Sequence, residues 1–447
     1  MNISRRTFFT WAFDSVVVSS QREVPGTLVK EAEPTATSDQ QAIQETVSEI
    51  IEDVTSQGDP AIKEFTREFD NVTREAPKLT PEEIDEAIGS VSQEDRETID
   101  QVIDNVRTFH EAQMDALNEF ETEVNPGVVL GQRFVPLERI GAYVPGGRHP
   151  LIASVAMSIV PAAVANVETI VACSPPHTEY GGCPHPLQVY AMQKAGADEI
   201  YAIGGAQAIA AMARGTDTIT PVDKITGPGN VFVVEAKRQL YGDIGIDLLA
   251  GPSEILIIAD ETADIDQVAL DLLAQAEHDT KARPILVTTD ETTASDVQVE
   301  IESLLPELKT EETARKAWQQ CGEILLVDTL SDATVAANSY APEHLHIMTE
   351  NPRSLMEDLE HYGSLFLGEN SPVVFSDKAV GTNHILPTQQ AARYTGGLWV
   401  GTYLKALTHQ QLTENGAGNI SSLAQKVCKL EGMHGHELSA RNRDSTS

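Results

Sequence analysis

Cysteine is scarce in this chain of 447 residues, with only Cys173, Cys183, Cys321 and Cys428. Four widely spaced thiols imply no disulfide framework. None stands in an evident activating setting, which argues against an aldehyde dehydrogenase working through a nucleophilic cysteine. Aromatic residues make up 5% of the chain, so its cores must be built mainly from Ala, Val, Ile and Leu. Basic residues are also few: Lys and Arg number 31 against 68 Asp and Glu, a net charge of -37. Phosphate binding along a nucleic acid needs a basic footprint, so nucleic acid is excluded as a partner and anionic membrane surfaces are disfavoured. No apolar run reaches the roughly 18 residues that a membrane span requires.

Hydrophobic residues at 41% suffice for substantial cores, and the length implies two or more domains. The acids are spread through periodic segments instead of gathering in a tail. A solvated acidic surface of this kind fits a protein adapted to high salt, where self-repulsion is screened. Ser4-Arg5-Arg6-Thr7-Phe8-Phe9 resembles a twin-arginine export signal. The apolar stretch behind it is short, contains Asp14 and lacks a small-residue cleavage site, so a cytoplasmic location is expected.

Residues 38–70 and 81–122 read as acidic amphipathic helices, the first carrying Ile43, Val47, Ile50, Ile51 and Val54 at helical spacing. Short apolar runs then alternate with helices. Strands are expected at 140–144, 169–173, 199–203 and 224–226, and again at 255–259, 284–288, 324–327, 344–348 and 364–367. Such alternation implies parallel sheets with crossover helices. The expected fold class is α/β, with two doubly wound, incomplete Rossmann-like domains and small helical N- and C-terminal parts. The expected division is an extension at 1–37, a discontinuous first domain at 38–142 and 252–398, a second domain at 143–251, and a helical segment at 399–447.

Several segments could carry chemistry. Cys173-Ser-Pro-Pro-His177 with Cys183-Pro-His185 invites a zinc reading, but the usual ligand spacing is missing and a surface loop is the better expectation. Gln275 and His278 stand three apart near a helix end and can share a face. A polar pair there is commonplace and gains meaning only with partners, because a catalytic zinc takes about three protein ligands. Glu343-His344 follows a proline turn, and neighbours in an extended segment diverge, so they can serve two different protons. Asp377 lies ahead of Gly381 and His384, and Glu431-Gly-Met-His434-Gly-His436 offers further ligands. The dinucleotide fingerprint G-x-G-x-x-G is absent. Glycine-rich stretches replace it at Tyr143-Val-Pro-Gly146-Gly147, Gly204-Gly205-Ala-Gln207, Gly227-Pro-Gly229-Asn230 and Gly251-Pro-Ser253-Glu254, where backbone can approach a polar or phosphate-bearing ligand.

Taken together, these stretches resemble the histidinol dehydrogenase family from about residue 38 to 441. The motifs that carry the resemblance are 140–150, Gly204-Gly-Ala-Gln207-Ala-Ile, Gly227-Pro-Gly-Asn230, Gln275-Ala-Glu-His278, Pro342-Glu-His-Leu345 and Gly381-Thr-Asn-His-Ile-Leu-Pro387. The resemblance implies oxidation of L-histidinol to L-histidine through the aldehyde, with two NAD and one water. It implies zinc held by Gln275, His278, Asp377 and His436. Substrate contacts would come from those ligands and from Ser253, His344 and Glu431, and NAD contacts from Tyr143, Gln207 and Asn230, so 143–251 is the NAD-binding domain. His344 is the expected general base and Glu343 the group that activates water. The resemblance further implies a homodimer with exchanged C-terminal segments. An exported zinc- or solute-binding protein is the rival reading, motivated by Arg5-Arg6.

Overall fold

The computed structural model describes residues 24–32, 40–146 and 150–443, so the Arg5-Arg6 motif and Gly147 lie outside the described residues. A strand, β1 (Thr27–Lys30), comes first. Four helices follow: α1 (Gln40–Gln57), α2 (Asp59–Asp70), α3 (Pro81–Ser90) and α4 (Gln93–Asp115). A hairpin of β2 (Phe120–Asn125) and β3 (Val128–Pro136) leads into the alternating region. Its first half runs β4 (Arg139–Tyr143), α5 (Ile152–Val164), β5 (Thr169–Ser174), α6 (Pro186–Ala195), β6 (Glu199–Ala202), α7 (Gly205–Arg214), β7 (Lys224–Thr226), α8 (Val231–Leu240) and β8 (Gly245–Ile246). The second half opens with β9 (Glu254–Ala259), α9 (Ile265–Ala276), β10 (Arg283–Thr288), α10 (Glu291–Leu304) and α11 (Glu311–Cys321). It continues through β11 (Glu323–Leu326), α12 (Leu330–Tyr340), β12 (His344–Met348), β13 (Ser364–Leu367) and the single turn α13 (Val373–Phe375). The chain closes on β14 (Leu404–Leu412), α14 (Glu414–Glu431) and α15 (His434–Arg441).

The short apolar runs become two parallel sheets buried on both faces, as continuous Val/Ile-rich strands should. One sheet has the order β6-β5-β4-β7-β8, and the other β1-β11-β10-β9-β12-β13 with only β1 antiparallel. In each, the chain winds outward from a central strand and then returns to that strand's other side. This is the doubly wound α/β fold expected. Side-chain alternation splits each sheet between two cores. Ile140 and Ala142 face α3 to α6, whereas Tyr143 and Val171 face α1, α2, α7 and α8. Ile255 and Ile257 face α9 to α11, whereas Leu256 and Ile258 face α12.

The packing differs from the expected division of the chain. Val47, Ile50 and Val54 of α1 and Ile99, Ile103 and Val106 of α4 share cores with the β4–β8 sheet, not with the β9–β13 sheet. An apolar stripe announces a helix without naming the sheet it will cover. Ile385, Leu398, Val400 and Tyr403 also return to the β4–β8 core, so the chain crosses between the two units near residues 377–384.

The end segments differ as well. β14 pairs antiparallel with β3, which also pairs with β2, so residues 399–447 are not purely helical and the helix expected to reach 122 stops at Asp115. The 1–37 extension contributes β1, which joins β11 with Thr27 opposite Leu326. Among the described residues no helix is long and apolar enough to cross a membrane.

Candidate active site

Neighbouring strands β9 and β12 are in register with His344 opposite Ile255, so their first residues form one polar corner at the N-terminal edge of the sheet. His344 is 3% exposed, and its Nδ1 lies 2.8 Å from the Glu254 carbonyl. A carbonyl oxygen only accepts, so Nδ1 carries the hydrogen and Nε2 presents a bare lone pair. That Nε2 is buried without a hydrogen-bond partner and stands 3.9 Å from Asp377 Oδ1. Burial lowers the His344 pKa, with Asp377 opposing, so the ring is a neutral base at neutral pH. Glu343 is buried beside it and accepts the Glu254 N–H on Oε2 at 2.9 Å. Burial holds its carboxyl well above the ordinary carboxylate range, and the negative charges of Glu254 and Asp377 add to the effect.

One turn of helix brings the remaining groups. α9 starts on the Asp264 cap, whose side chain accepts from Gln267 N at 3.1 Å, and it buries Val268, Ala269, Leu272, Leu273 and Ala276. At its end Gln275 is buried, with Nε2 lacking any hydrogen-bond partner. His278 follows, its N–H donated to the Gln275 carbonyl at 3.2 Å. It opens to solvent in a crowded cleft: desolvation lowers its pKa, and Asp377 pulls the other way. Asp377 sits in the wide turn Ser376–Val380, a π-type geometry that recurs at functional sites. Gly381 ends that turn at φ 110, where a Cβ would meet the Asn105 carbonyl oxygen at 2.5 Å, so no other residue fits. His384 spends both ring nitrogens on the scaffold, 3.0 Å from the Asp377 carbonyl and 3.1 Å from Ser154 Oγ. It ties the Asp377 turn to α5.

The glycine-rich loops gather elsewhere, at the C-terminal edge of the β4–β8 sheet. β4 and β7 are adjacent, with Ala142 opposite Thr226, and the winding reverses between them. Such a switch point is the usual crevice for a dinucleotide. Tyr143 ends β4, and its hydroxyl accepts the Gly205 N–H at 3.1 Å at the start of α7, where Gln207 is buried. Asn230 caps α8 by accepting from Phe232 N at 3.0 Å and Val233 N at 3.2 Å. Gly227, at φ 114, leaves no room for a Cβ, which would lie 2.0 Å from the Tyr143 carbonyl oxygen. Its peptide is gripped on both sides: Gly227 N donates to Asp247 Oδ2 at 2.7 Å, and Lys237 Nζ donates to the Gly227 carbonyl and to Asp247 Oδ1.

The family model for histidinol dehydrogenase matches residues 33–444. The chain belongs to the histidinol dehydrogenase family. It is 45% identical over 401 residues to the "Histidinol dehydrogenase homolog" of Shouchella clausii, covering 90% of this chain and 94% of that one. It is 42% identical over 414 residues to the sulfopropanediol 3-dehydrogenase of Ruegeria pomeroyi, covering 92% and 94%. The crystal structure of histidinol dehydrogenase from Elizabethkingia anophelis superposes with a TM-score of 0.87 at 35% identity, covering 92% of this chain and 94% of that one.

Within this family member the expected site residues fall into three places. Ser253, Gln275, His278, Glu343, His344 and Asp377 belong to the ends of β9, α9 and β12 and the turn opposite them. Tyr143, Gln207 and Asn230 lie at the C-terminal edge of the β4–β8 sheet, at the end of β4 and after β6 and β7. Glu431 and His436 do neither: both are exposed, on α14 and α15, which pack against each other through Ser421 Oγ and the Ala440 carbonyl at 2.7 Å. Among the described residues no group of three or more His, Cys, Asp or Glu side chains is close enough to hold a metal ion. Gln275, His278 and Asp377 still suit zinc in donor chemistry, an amide and a carboxylate oxygen with an imidazole nitrogen. The unsatisfied Gln275 amide is the kind of buried group that an ion would complete. The cysteine-containing loop is bonded to its surroundings, Cys183 Sγ lying 3.4 Å from Arg74 Nη1 and His185 capping α6 through Leu187 N.

The roles of three residues escaped the sequence reading. Glu254 fixes both His344 and Glu343 through its main chain, which no side-chain pattern announces. Lys237 and Asp247 grip the Gly227 peptide. Lys237 falls in line with Val233, Ala236 and Leu240 on the buried face of α8, and a lysine at a core-facing position is a visible signal.

Proposed function

We propose that the chain oxidises L-histidinol to L-histidine through L-histidinal, with two NAD accepting hydride in turn and one water consumed, as the last step of histidine biosynthesis. The observation that carries this reading is His344: a buried neutral imidazole whose Nδ1 hydrogen is fixed on Glu254 and whose free Nε2 faces the Asp377 corner. His344 Nε2 takes the alcohol proton as hydride leaves the carbon. Glu343 then takes a proton from the water that adds to the aldehyde, and the hydrate yields the second hydride. A carboxyl raised toward neutrality is the stronger base once ionised, so burial suits Glu343 to this step. Neighbouring residues thus serve both oxidations without releasing the aldehyde to solvent.

Zinc would be held by Gln275, His278 and Asp377 with His436 contributed by a second copy, and bound zinc supplies a redox-inert Lewis acid that orients the substrate's amine and imidazole. The exposed position of Glu431 and His436 supports a homodimer in which exchanged C-terminal segments complete each site. Tyr143, Gln207 and Asn230 would line the NAD crevice. As a biosynthetic enzyme drawing on NAD, it would act in the cytoplasm. The net charge of -37 supports adaptation to high salt, checked by whether activity rises or holds in molar KCl. The deciding experiment follows NADH formation with L-histidinol and, separately, with sulfopropanediol. Histidinol-dependent NADH that chelation abolishes and zinc restores is expected. Turnover of sulfopropanediol alone would transfer the chain to the other alcohol.

A further inference from the structure

We infer that Asp271 and His346 form a positioning pair that locks α9 against β12 and so sets Gln275 and His278 opposite Asp377 and His344. This inference rests on the zinc-site reading above.

His346 is fully buried, and its Nε2 lies 3.0 Å from the Gly368 carbonyl, so Nε2 carries a hydrogen. Its Nδ1 lies 3.2 Å from Asp271 Oδ2, at ion-pair distance though off the line of a hydrogen bond, and finds no other partner. The surroundings are apolar: His346 stands between Ile257 and Phe366 in register, and its ring meets the Phe366 ring edge-on at 6.1 Å. Around Asp271 on α9, Val268, Leu272 and Leu273 pack into the same core.

The spacing makes the pair a second rung below the site. Asp271 precedes Gln275 by four residues, about 6 Å along a helix. His346 follows His344 by two, about 7 Å along a strand and on the same face. Sliding α9 along β12 therefore shifts both rungs together. Apolar packing alone tolerates small slips, because it is non-directional. The fully buried His346 ring does not, because a slip leaves its Nδ1 without the carboxylate beside it in an otherwise apolar layer, while Asp271 itself keeps an edge toward solvent. A constellation of ligands needs placement within about 0.5 Å, and the lower rung supplies a reference point for it.

The test uses Asp271→Leu/His346→Leu in the full chain, with zinc affinity measured by chelator competition and stability by thermal melting. An apolar pair of similar volume commonly matches a buried ion pair in stability. A melting temperature at or above that of the parent chain is therefore expected, while zinc affinity falls about 10–100-fold, the usual cost of losing an orienting partner. KM for NAD should stay unchanged. A stable double variant with zinc affinity and kcat within twofold of the parent would overturn the inference. Should that variant not fold, the decision passes to single substitutions. Asp271→Asn, whose amide N–H can donate to Nδ1 in place of the carboxylate contact, should keep zinc within threefold, whereas Asp271→Ala should lose at least tenfold. Equal affinities in the two would overturn it. Gln275→Ala is the control for the zinc reading itself: unchanged zinc affinity there would overturn that reading and, with it, this inference, whereas a loss there beside unchanged affinity in the Asp271 and His346 variants would overturn the inference alone.

Discussion

His344 Nδ1 and the Glu254 carbonyl oxygen stand 2.8 Å apart, and this main-chain contact decides which face of the imidazole is basic. His344→Ala should lower kcat about 10²–10⁴-fold, the range for a positioned general base. Zinc content should be retained, since His344 is not among the proposed ligands. A loss of under tenfold at saturating histidinol would remove His344 from the base role.

The two half-reactions should titrate on different groups. His344 is held below the ordinary histidine pKa by burial, so histidinol oxidation should lose rate only as pH falls beneath about 6.5. Glu343 is held well above 4.5, and it must be ionised to act, so histidinal oxidation should lose rate as pH falls through that raised value. Glu343→Gln should abolish the second limb and leave the first. Stopped-flow rates with alcohol and aldehyde measured separately provide the check, and equal slowing of both steps would defeat the division of labour.

Removing the Tyr143 hydroxyl leaves the Gly205 N–H at the head of α7 without its acceptor. An unpaired donor costs about 1–3 kcal/mol when buried and less at the partly buried Gly205, and the loop there should loosen. Tyr143→Phe is expected to raise KM for NAD several-fold with little change in KM for histidinol. Steady-state titration of each substrate decides it.

Asp70 closes α2, where the helix dipole already disfavours a negative charge. Burial raises its pKa from 3.8 to about 6, and Oδ2 has no hydrogen-bond partner. The folded state therefore binds this proton more tightly than the unfolded chain does. The contribution of Asp70 to stability is full below pH 3.8 and is lost as pH rises through 6. Asp70→Asn should stabilise the ligand-free protein at pH 7 by about 1–2 kcal/mol, discounting for the partly open position. The gain should vanish near pH 4 in thermal melts.

Mixing His344→Ala and His436→Ala chains should recover activity if sites are shared between copies, because each heterodimer carries one site with both residues intact. No recovery after confirmed subunit exchange would place His436 back on its own chain.

The sequence makes the two sheets legible because buried parallel strands are short apolar runs, and 255–259 and 344–348 read that way directly. β2 and β14 stayed hidden because their residues are exposed on both sides, so neither alternation nor an apolar run marks them. The candidate site was legible as chemistry-bearing side chains at Gln275, His278, Glu343, His344 and Asp377, which the fold sets at the ends of β9, α9 and β12 and the turn opposite them. It was not legible where the main chain does the work, as at Glu254. The location of the proposed catalytic corner also runs against habit. Ligands in open α/β sheets usually sit beyond strand C-termini. Here Glu254 and His344 begin their strands, while the C-terminal ends of the same pair are closed by Asp260, which accepts from Thr262 N and Glu350 N at 3.0 Å each.

β1 has a bearing on how this protein behaves in solution. It precedes the 33–444 span matched by the family model, yet it occupies the outer flank of β11, with Thr27 opposite Leu326. A chain trimmed to the matched span would keep every group named in the chemistry and would expose a row of unpaired β11 amides and carbonyls. Bare strand edges of that kind recruit other chains. The shortened enzyme should therefore turn over normally when dilute and precipitate when concentrated, so these few residues serve as a hem that keeps the sheet from unravelling into its neighbours.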